Sequence, residues 1–144
     1  MSEPVYLDSS VVVAYYVPKP NSGRVQRLYE DVEWPVISEL VDLEITSALS
    51  IRSRISDLER TQARRIVNLF NEHLDAGLYA RLRLQADQYR WARDATARFD
   101  LPLKVPDALH LAAAQADGLQ LITADRQLAR NAEALDIAFE LIEA

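Results

Sequence analysis

No cysteine occurs among the 144 residues, which excludes a disulfide scaffold, a thiolate zinc site and cysteine nucleophilic chemistry together. A reducing, cytoplasmic setting fits that absence. Histidine is nearly as scarce, His73 and His110 being the only two. Two histidines can in principle serve as acid and base, but His110 lies in an apolar stretch that predicts a hydrogen-bonded core position. His73 lies in a polar stretch that predicts the surface, and neither stands near a serine in a hydrolase motif. Long hydrophobic runs are missing too: the longest, Val11–Val17, falls far below the roughly 18 residues of a membrane span. Met1-Ser2-Glu3-Pro4 carries no positive segment of the kind that opens an export signal. The expectation is a soluble, unprocessed protein that does not associate with membranes.

Positive charge is in short supply. Sixteen Lys and Arg face 22 Asp and Glu, a net charge of −6, which argues against nucleic-acid binding through overall charge. Any contact with RNA must be local. Between Arg52 and Arg98 there are ten Arg and six acids, a net +4, so the rest of the chain carries −10. Fourteen of the 16 basic residues are Arg, whose fork suits phosphate better than a lysine point charge. Arg81, Arg83, Arg90 and Arg93 are candidates for RNA contact; the plainer alternative pairs them with Asp87 and Asp94 on a solvated face.

What is present is an alternation of short apolar runs with helical patterns. Pro4–Asp8 reads as a buried strand feeding a helix to about Tyr16, which Pro18 and Pro20 stop; Asn21-Ser22 opens a second helix toward Glu30. Pro35–Ile37 is a second strand, and Ser38 caps a helix carrying Glu44. Ser56 or Asp57 caps a helix to about Leu74, Gly77 ends it, and residues 78–84 are extended. Ala86–Phe99 is helical and Pro102 and Pro106 bracket a loop. Asp107–Asp117 is a helix apolar on nearly every face, ended by Gly118. Leu119–Thr123 is a core strand, Asp125–Leu135 a helix and Ile137–Ile142 a last strand. This order points to one α/β domain over residues 1–144, with a mainly parallel sheet covered on both faces. The apolar block Val11–Val17 belongs to the core, or in part to a subunit or partner interface.

Acids at strand-to-helix junctions draw attention because ligands of open α/β sheets bind beyond the carboxyl ends of the strands. Asp8 and Asp125 hold two such positions, Asp107 opens the buried helix, and Glu44 falls on a helix face that should be covered. Each has a plainer reading: Asp125 as a cap, Asp107 as a complement to the helix dipole, Asp8 as turn chemistry, Glu44 as the partner of an Arg. As a set, an acidic cluster calls for a divalent cation to relieve its repulsion.

Tyr6-Leu7-Asp8-Ser9-Ser10, Leu43-Glu44-Ile45, Val105-Pro106-Asp107-Ala108-Leu109-His110-Leu111-Ala112-Ala113-Ala114 and Leu121-Ile122-Thr123-Ala124-Asp125-Arg126 resemble, in order and spacing, the motifs of PIN-domain ribonucleases, and in particular VapC-type toxins. The resemblance covers essentially the whole chain. It implies a PIN-like three-layer α/β/α sandwich. It also implies an endoribonuclease that hydrolyses phosphodiesters with metal-activated water, in which Asp8, Glu44, Asp107 and Asp125 hold one or two Mg²⁺ or Mn²⁺ ions. Asp8 and Asp107 would be the direct ligands, and Thr123 and Ser9 supporting hydroxyls; for Thr123 a plain helix cap is the alternative. It further implies a VapB-type antitoxin partner, an RNA substrate and a homodimer. A glycine frequent before the family's last strand is replaced here by Ala134-Leu135-Asp136.

Other readings are a PIN fold that binds RNA or protein without cutting, and a metal-dependent phosphatase. An aspartyl-phosphate phosphatase needs a second Asp two residues after the first, where this chain has Ser10. A phospho-accepting receiver domain needs an acidic pair after the first strand and a late lysine, and the lysines are Lys19 and Lys104 alone.

Overall fold

A computed structural model of the chain describes residues 3–55 and 57–144. Five strands, β1 (Val5–Leu7), β2 (Pro35–Ser38), β3 (Ala80–Leu82), β4 (Gln120–Thr123) and β5 (Phe139–Leu141), form one sheet in the order β3-β2-β1-β4-β5. Every pairing is parallel, so the sheet is wholly rather than mainly parallel. Among the described residues seven helices connect the strands: α1 (Ser9–Tyr16), α2 (Ser22–Asp31), α3 (Glu39–Arg54), α4 (Arg60–Asp75), α5 (Ala86–Thr96), α6 (Val105–Ala116) and α7 (Arg126–Ala134). The chain moves outward from β1 through β2 to β3, then returns across the sheet to β4 and moves outward the other way to β5. Right-handed crossovers along these opposed directions send α1 to α4 to one face and α5 to α7 to the other. The result is a three-layer α/β/α sandwich.

The reversal of direction lies between β1 and β4, and their register brings their ends level: Leu7 pairs with Ile122. In an open α/β sheet this switch point is where a crevice opens beyond the strand ends. The central strands are buried continuously, as sheets covered on both faces require; Tyr6, Ile37, Leu121 and Ile122 have no exposed surface. The edge strands β3 and β5 are short and partly exposed.

Boundaries differ from expectation for local reasons. Helix α6 begins at Val105, two residues early, because a proline within the first helical turn lacks only an N–H that has no intrahelical partner there. Helix α5 stops at Thr96, and Phe99 takes φ 60 in the loop beyond. Helix α4 starts at Arg60, where Glu59 and Gln62 form a reciprocal capping box, rather than at Asp57; Ser56 lies outside the described residues. Ser38 holds the N-cap position of α3 without capping it, since its hydroxyl meets the Tyr6 hydroxyl at 2.8 Å. Where the final turn lacks the family's glycine, Asp136 takes the left-handed conformation at φ 57, which Asp tolerates better than most residues.

The block after the first acid is core: Val11, Val12 and Val17 are buried. Tyr15 stacks on Tyr29 at 3.9 Å, and a hydroxyl chain runs Tyr29–Tyr79–Tyr16 to His73 Nδ1. His73 is therefore half-buried against tyrosines and not a plain surface residue. Among the described residues no helix is long and apolar enough to cross a membrane.

Candidate active site

Asp8 follows β1, caps α1 by accepting the Val11 N–H at 3.2 Å, and is only 3% exposed. Its Oδ1 also accepts the Ser10 hydroxyl at 2.6 Å, and its Oδ2 accepts the Thr123 hydroxyl at 2.7 Å. Ser10 in turn accepts the Ala124 N–H at 2.9 Å, and Thr123 accepts the Asp125 N–H at 3.0 Å. The two strand-to-helix junctions at the switch point are thus laced together by hydroxyls. Thr123 does not cap α7; Asp125 does, its Oδ1 accepting the N–H groups of Gln127 and Leu128 at 2.8 and 3.2 Å. Its Oδ2 receives no hydrogen bond from the described residues.

Asp107 stands in the first turn of α6, half-buried, and makes no hydrogen bond or ion pair among the described residues. Burial raises its pKa above the ordinary value of 3.8, and the negative charges of Asp125 and Asp8 push in the same direction; His110 and Lys104 oppose them. Asp8 is raised as well, by burial first, against the opposing effects of His110 and its three hydrogen-bond donors. Asp107 therefore senses the other two carboxylates, and all three stand at the N-terminal ends of helices, α1, α6 and α7, where helix dipoles favour negative charge.

Glu44 reaches the same region from α3 and is not covered: its side chain is 27% exposed, and it partners a histidine rather than an Arg. His110 Nε2 lies 2.6 Å from Glu44 Oε1, and His110 Nδ1 lies 2.8 Å from the Tyr6 hydroxyl. Burial drives the Tyr6 phenol far above its ordinary pKa, so it keeps its proton. The Tyr6 hydroxyl thus bridges Ser38 Oγ and His110 Nδ1, and the other ring nitrogen, Nε2, faces Glu44. His110, 2% exposed, is the hydrogen-bonded core histidine that its apolar setting predicts.

Beside Glu44 a cleft of about 520 Å³ opens between α1 and α3, lined also by Ser9, Ser10, Lys19 and Ser47. Ser9 faces this cleft and makes no hydrogen bond to a carboxylate; the hydroxyl that holds Asp8 is Ser10. That residue was legible only as the second of two serines. The Glu44–His110 contact was half legible, because His110 stands one turn from Asp107 on the same helix face. Among the described residues no three His, Cys, Asp or Glu side chains gather as a ready coordination shell. The protein's own donors account for this: Asp8 is held on both oxygens, Asp125 turns one oxygen to its helix, and Glu44 turns to His110.

The cap can be tested separately from any chemistry. Asp125→Ala is expected to lower stability by about 1 kcal/mol through loss of the α7 cap, and Asp125→Asn by much less; equal losses in urea melts would remove the capping role.

A family model of the PIN domain matches residues 5–134. The chain belongs to the PIN domain family. Solved structures share the PIN fold across nearly the whole chain. DNA-bound VapBC from Salmonella typhimurium aligns at TM-score 0.71 and 17% identity, over 97% of this PIN domain and 98% of that chain. FitAcB from Neisseria gonorrhoeae aligns at 0.70 and 18%, over 94% and 95%. VapC20 of Mycobacterium tuberculosis, described as a sarcin-ricin loop cleaving toxin, aligns at 0.68 and 16%, over 88% and 93%. At such identities the likeness is one of fold. No curated protein matches the PIN domain's sequence.

Proposed function

We propose that this PIN domain is a divalent-cation-dependent endoribonuclease and the toxin of a VapBC-type toxin–antitoxin pair. The observation that supports the reading is that Asp8 and Asp125 follow the two strands of the switch point and that Asp107, in the first turn of α6, senses the charge of both, with Glu44 on α3.

The donor set fits a hard divalent cation, which takes oxygen ligands. Asp107, which takes no hydrogen bond from the described residues and whose pKa is raised by burial and then by its acidic neighbours, is a carboxylate whose charge awaits a counterion. Asp8 and Asp107 would hold the ion directly, with Glu44 and the free Oδ2 of Asp125 completing the set. Bound Mg²⁺ or Mn²⁺ supplies an activated water and offsets charge on the phosphate and the leaving oxygen. The chain's own residues supply order: Ser10 and Thr123 fix the Asp8 carboxylate, His110 fixes Glu44, and Lys19 brings a cation to the cleft wall.

The reading extends to partners. A solved structure that aligns over 84% of this chain at TM-score 0.59 and 18% identity is described as a toxin–antitoxin complex from Klebsiella pneumoniae, which supports a VapB-type antitoxin for this chain. Homodimerisation is supported by exposed Tyr89, Phe99 and Val105 around an apolar groove of about 380 Å³ between α5 and α6.

The test is incubation of the purified protein with mixed RNA at low salt, with Mg²⁺ or Mn²⁺ and with EDTA. Cleavage confined to the cation arms is the expected result. Activity persisting in EDTA would overturn the metal mechanism. Histidine catalysis is a poor substitute in either case, since His110 is sealed in the core and His73 is held by Tyr16. The second reading, a binding module that does not cut, is favoured by the lack of a ready three-ligand shell among the described residues; it expects RNA crosslinking without cleavage.

A further inference from the structure

A nuclease with net charge −6 and an acidic site needs a local source of positive potential to hold a polyanion. Several cations of the Arg-rich middle are already neutralised: Arg52, Arg81, Arg90 and Arg98 each meet a carboxylate, from Asp57, Asp42, Asp87 and Asp100. Arg54, Arg60 and Arg64 do not; they make no ion pair among the described residues. All three are exposed, and all three line one groove of about 470 Å³ between α3 and α4. The nearby acids are engaged elsewhere, Asp57 with Arg52 and Glu59 in the α4 cap.

Helix α3 joins this groove to the acidic site. Glu44, Ser47 and Ile51 line the cleft, while Ser50, Ser53 and Arg54 line the groove, and exposed Leu43 stands on the same helix stripe as Ser47 and Ser50. Arg54 lies ten residues beyond Glu44, about 15 Å along the helix at 1.5 Å per residue. A strand crossing the site could continue along α3 onto three guanidinium groups, with hydroxyl donors at Ser50 and Ser53 and an amide at Asn68. Leu43 and Ile51 beside this path, and Val67 in the groove's lining, leave apolar surface for sugar and base.

We propose that the α3–α4 groove is a phosphodiester-binding track, in which Arg54, Arg60 and Arg64 grip the RNA strand that flanks the scissile bond. The inference rests on the ribonuclease reading above. It moves the RNA contacts from Arg81 and Arg90, which are paired, and from Arg83 and Arg93 to a site on the helix that carries Glu44.

The experiment measures binding of a labelled single-stranded RNA to the full chain carrying Asp8→Ala, with and without Arg54→Gln, Arg60→Gln and Arg64→Gln together, across a salt series. Arg83→Gln with Arg93→Gln in the same background is the control, and melting curves check folding. The groove variant is expected to bind at least about tenfold more weakly at low salt. Its log–log salt slope should be shallower by about 2, at roughly 0.7 per phosphate contact on a single strand, with the control unchanged. Unchanged affinity and slope in the groove variant, beside an Asp8→Ala background that binds RNA and an unsubstituted chain that cuts it, would overturn the groove alone. An Asp8→Ala background that does not bind RNA, beside an unsubstituted chain that does not cut it, would overturn the ribonuclease reading and the groove with it. A poly-glutamate peptide that binds through the same three arginines more tightly than RNA would reassign the groove to an acidic protein segment, and so overturn it as well.

Discussion

If the proposed activity holds, Asp8→Asn is expected to lower RNA cleavage by on the order of a thousandfold or more, as for the loss of a principal electrostatic contact, and to leave the cation-free protein at least as stable as the parent at pH 7. The two halves share one cause. Asp8 is almost wholly buried, and its pKa is raised despite three donors, so its ionised form is disfavoured by the fold. A carboxyl whose folded pKa is raised contributes stability that is fully present below its ordinary value, 3.8. That contribution is lost as pH rises through the folded value, because the folded state binds the extra proton in that window. Asp107 adds to the effect in the same direction. The parent without cation should therefore lose stability as pH climbs from about 4, and Asp8→Asn should flatten that decline. The amide keeps an acceptor for Ser10 and Val11, and Thr123 can accept from the new N–H. Mg²⁺ should raise the parent's Tm by mass action and the variant's much less. Melting curves from pH 4 to 8, with and without Mg²⁺, together with RNA cleavage assays, read all of this. A variant that cuts within tenfold of the parent would remove Asp8 from the chemistry; one clearly less stable at pH 7 would contradict the buried-charge account.

His110→Leu is expected to lower kcat/KM by about 10- to 100-fold, the scale seen when a group that orients a ligand is lost, and stability by about 1–2 kcal/mol. The stability loss is modest because Tyr6 keeps its bond to Ser38 and Glu44, partly exposed, can turn to water. The loss of activity follows from that freedom, since Glu44 then samples orientations away from the cleft. His110→Gln, which can offer an amide N–H toward Glu44, should recover part of the activity. Equal activity for the leucine variant and the parent, with urea melts confirming a folded protein, would reduce His110 to a packing residue.

Legibility varied with the range of the interaction concerned. Strand ends, proline stops and glycine stops are local events, so β1, β2, β4 and the acids that follow β1 and β4 could be placed from the sequence. The bounds of β3 and β5 were blurred because both are edge strands with exposed residues, and their apolar alternation is weak. What could not be read was pairing across the chain. Ser10, not Ser9, meets Asp8 because the first turn of α1 rotates one hydroxyl toward Thr123 and the other toward the cleft. Glu44 and His110 stand 66 residues apart, with α4, β3 and α5 between their helices in the chain, and only the folded sheet brings them together. Neither local propensity nor spacing encodes which of several acids an Arg will choose, so the paired arginines could not be told from the free ones.

The placement of β4 beside β1 has a consequence for synthesis. The pairing at the switch point joins residues 5–7 to 120–122, so β1 cannot take its full place in the sheet until the chain has been made as far as β4. Folding that depends on such distant contacts is slow, and a nascent chain that stops short of Asp125 lacks one of the four carboxylates. The activity proposed here would thus be withheld from copies that end before that residue.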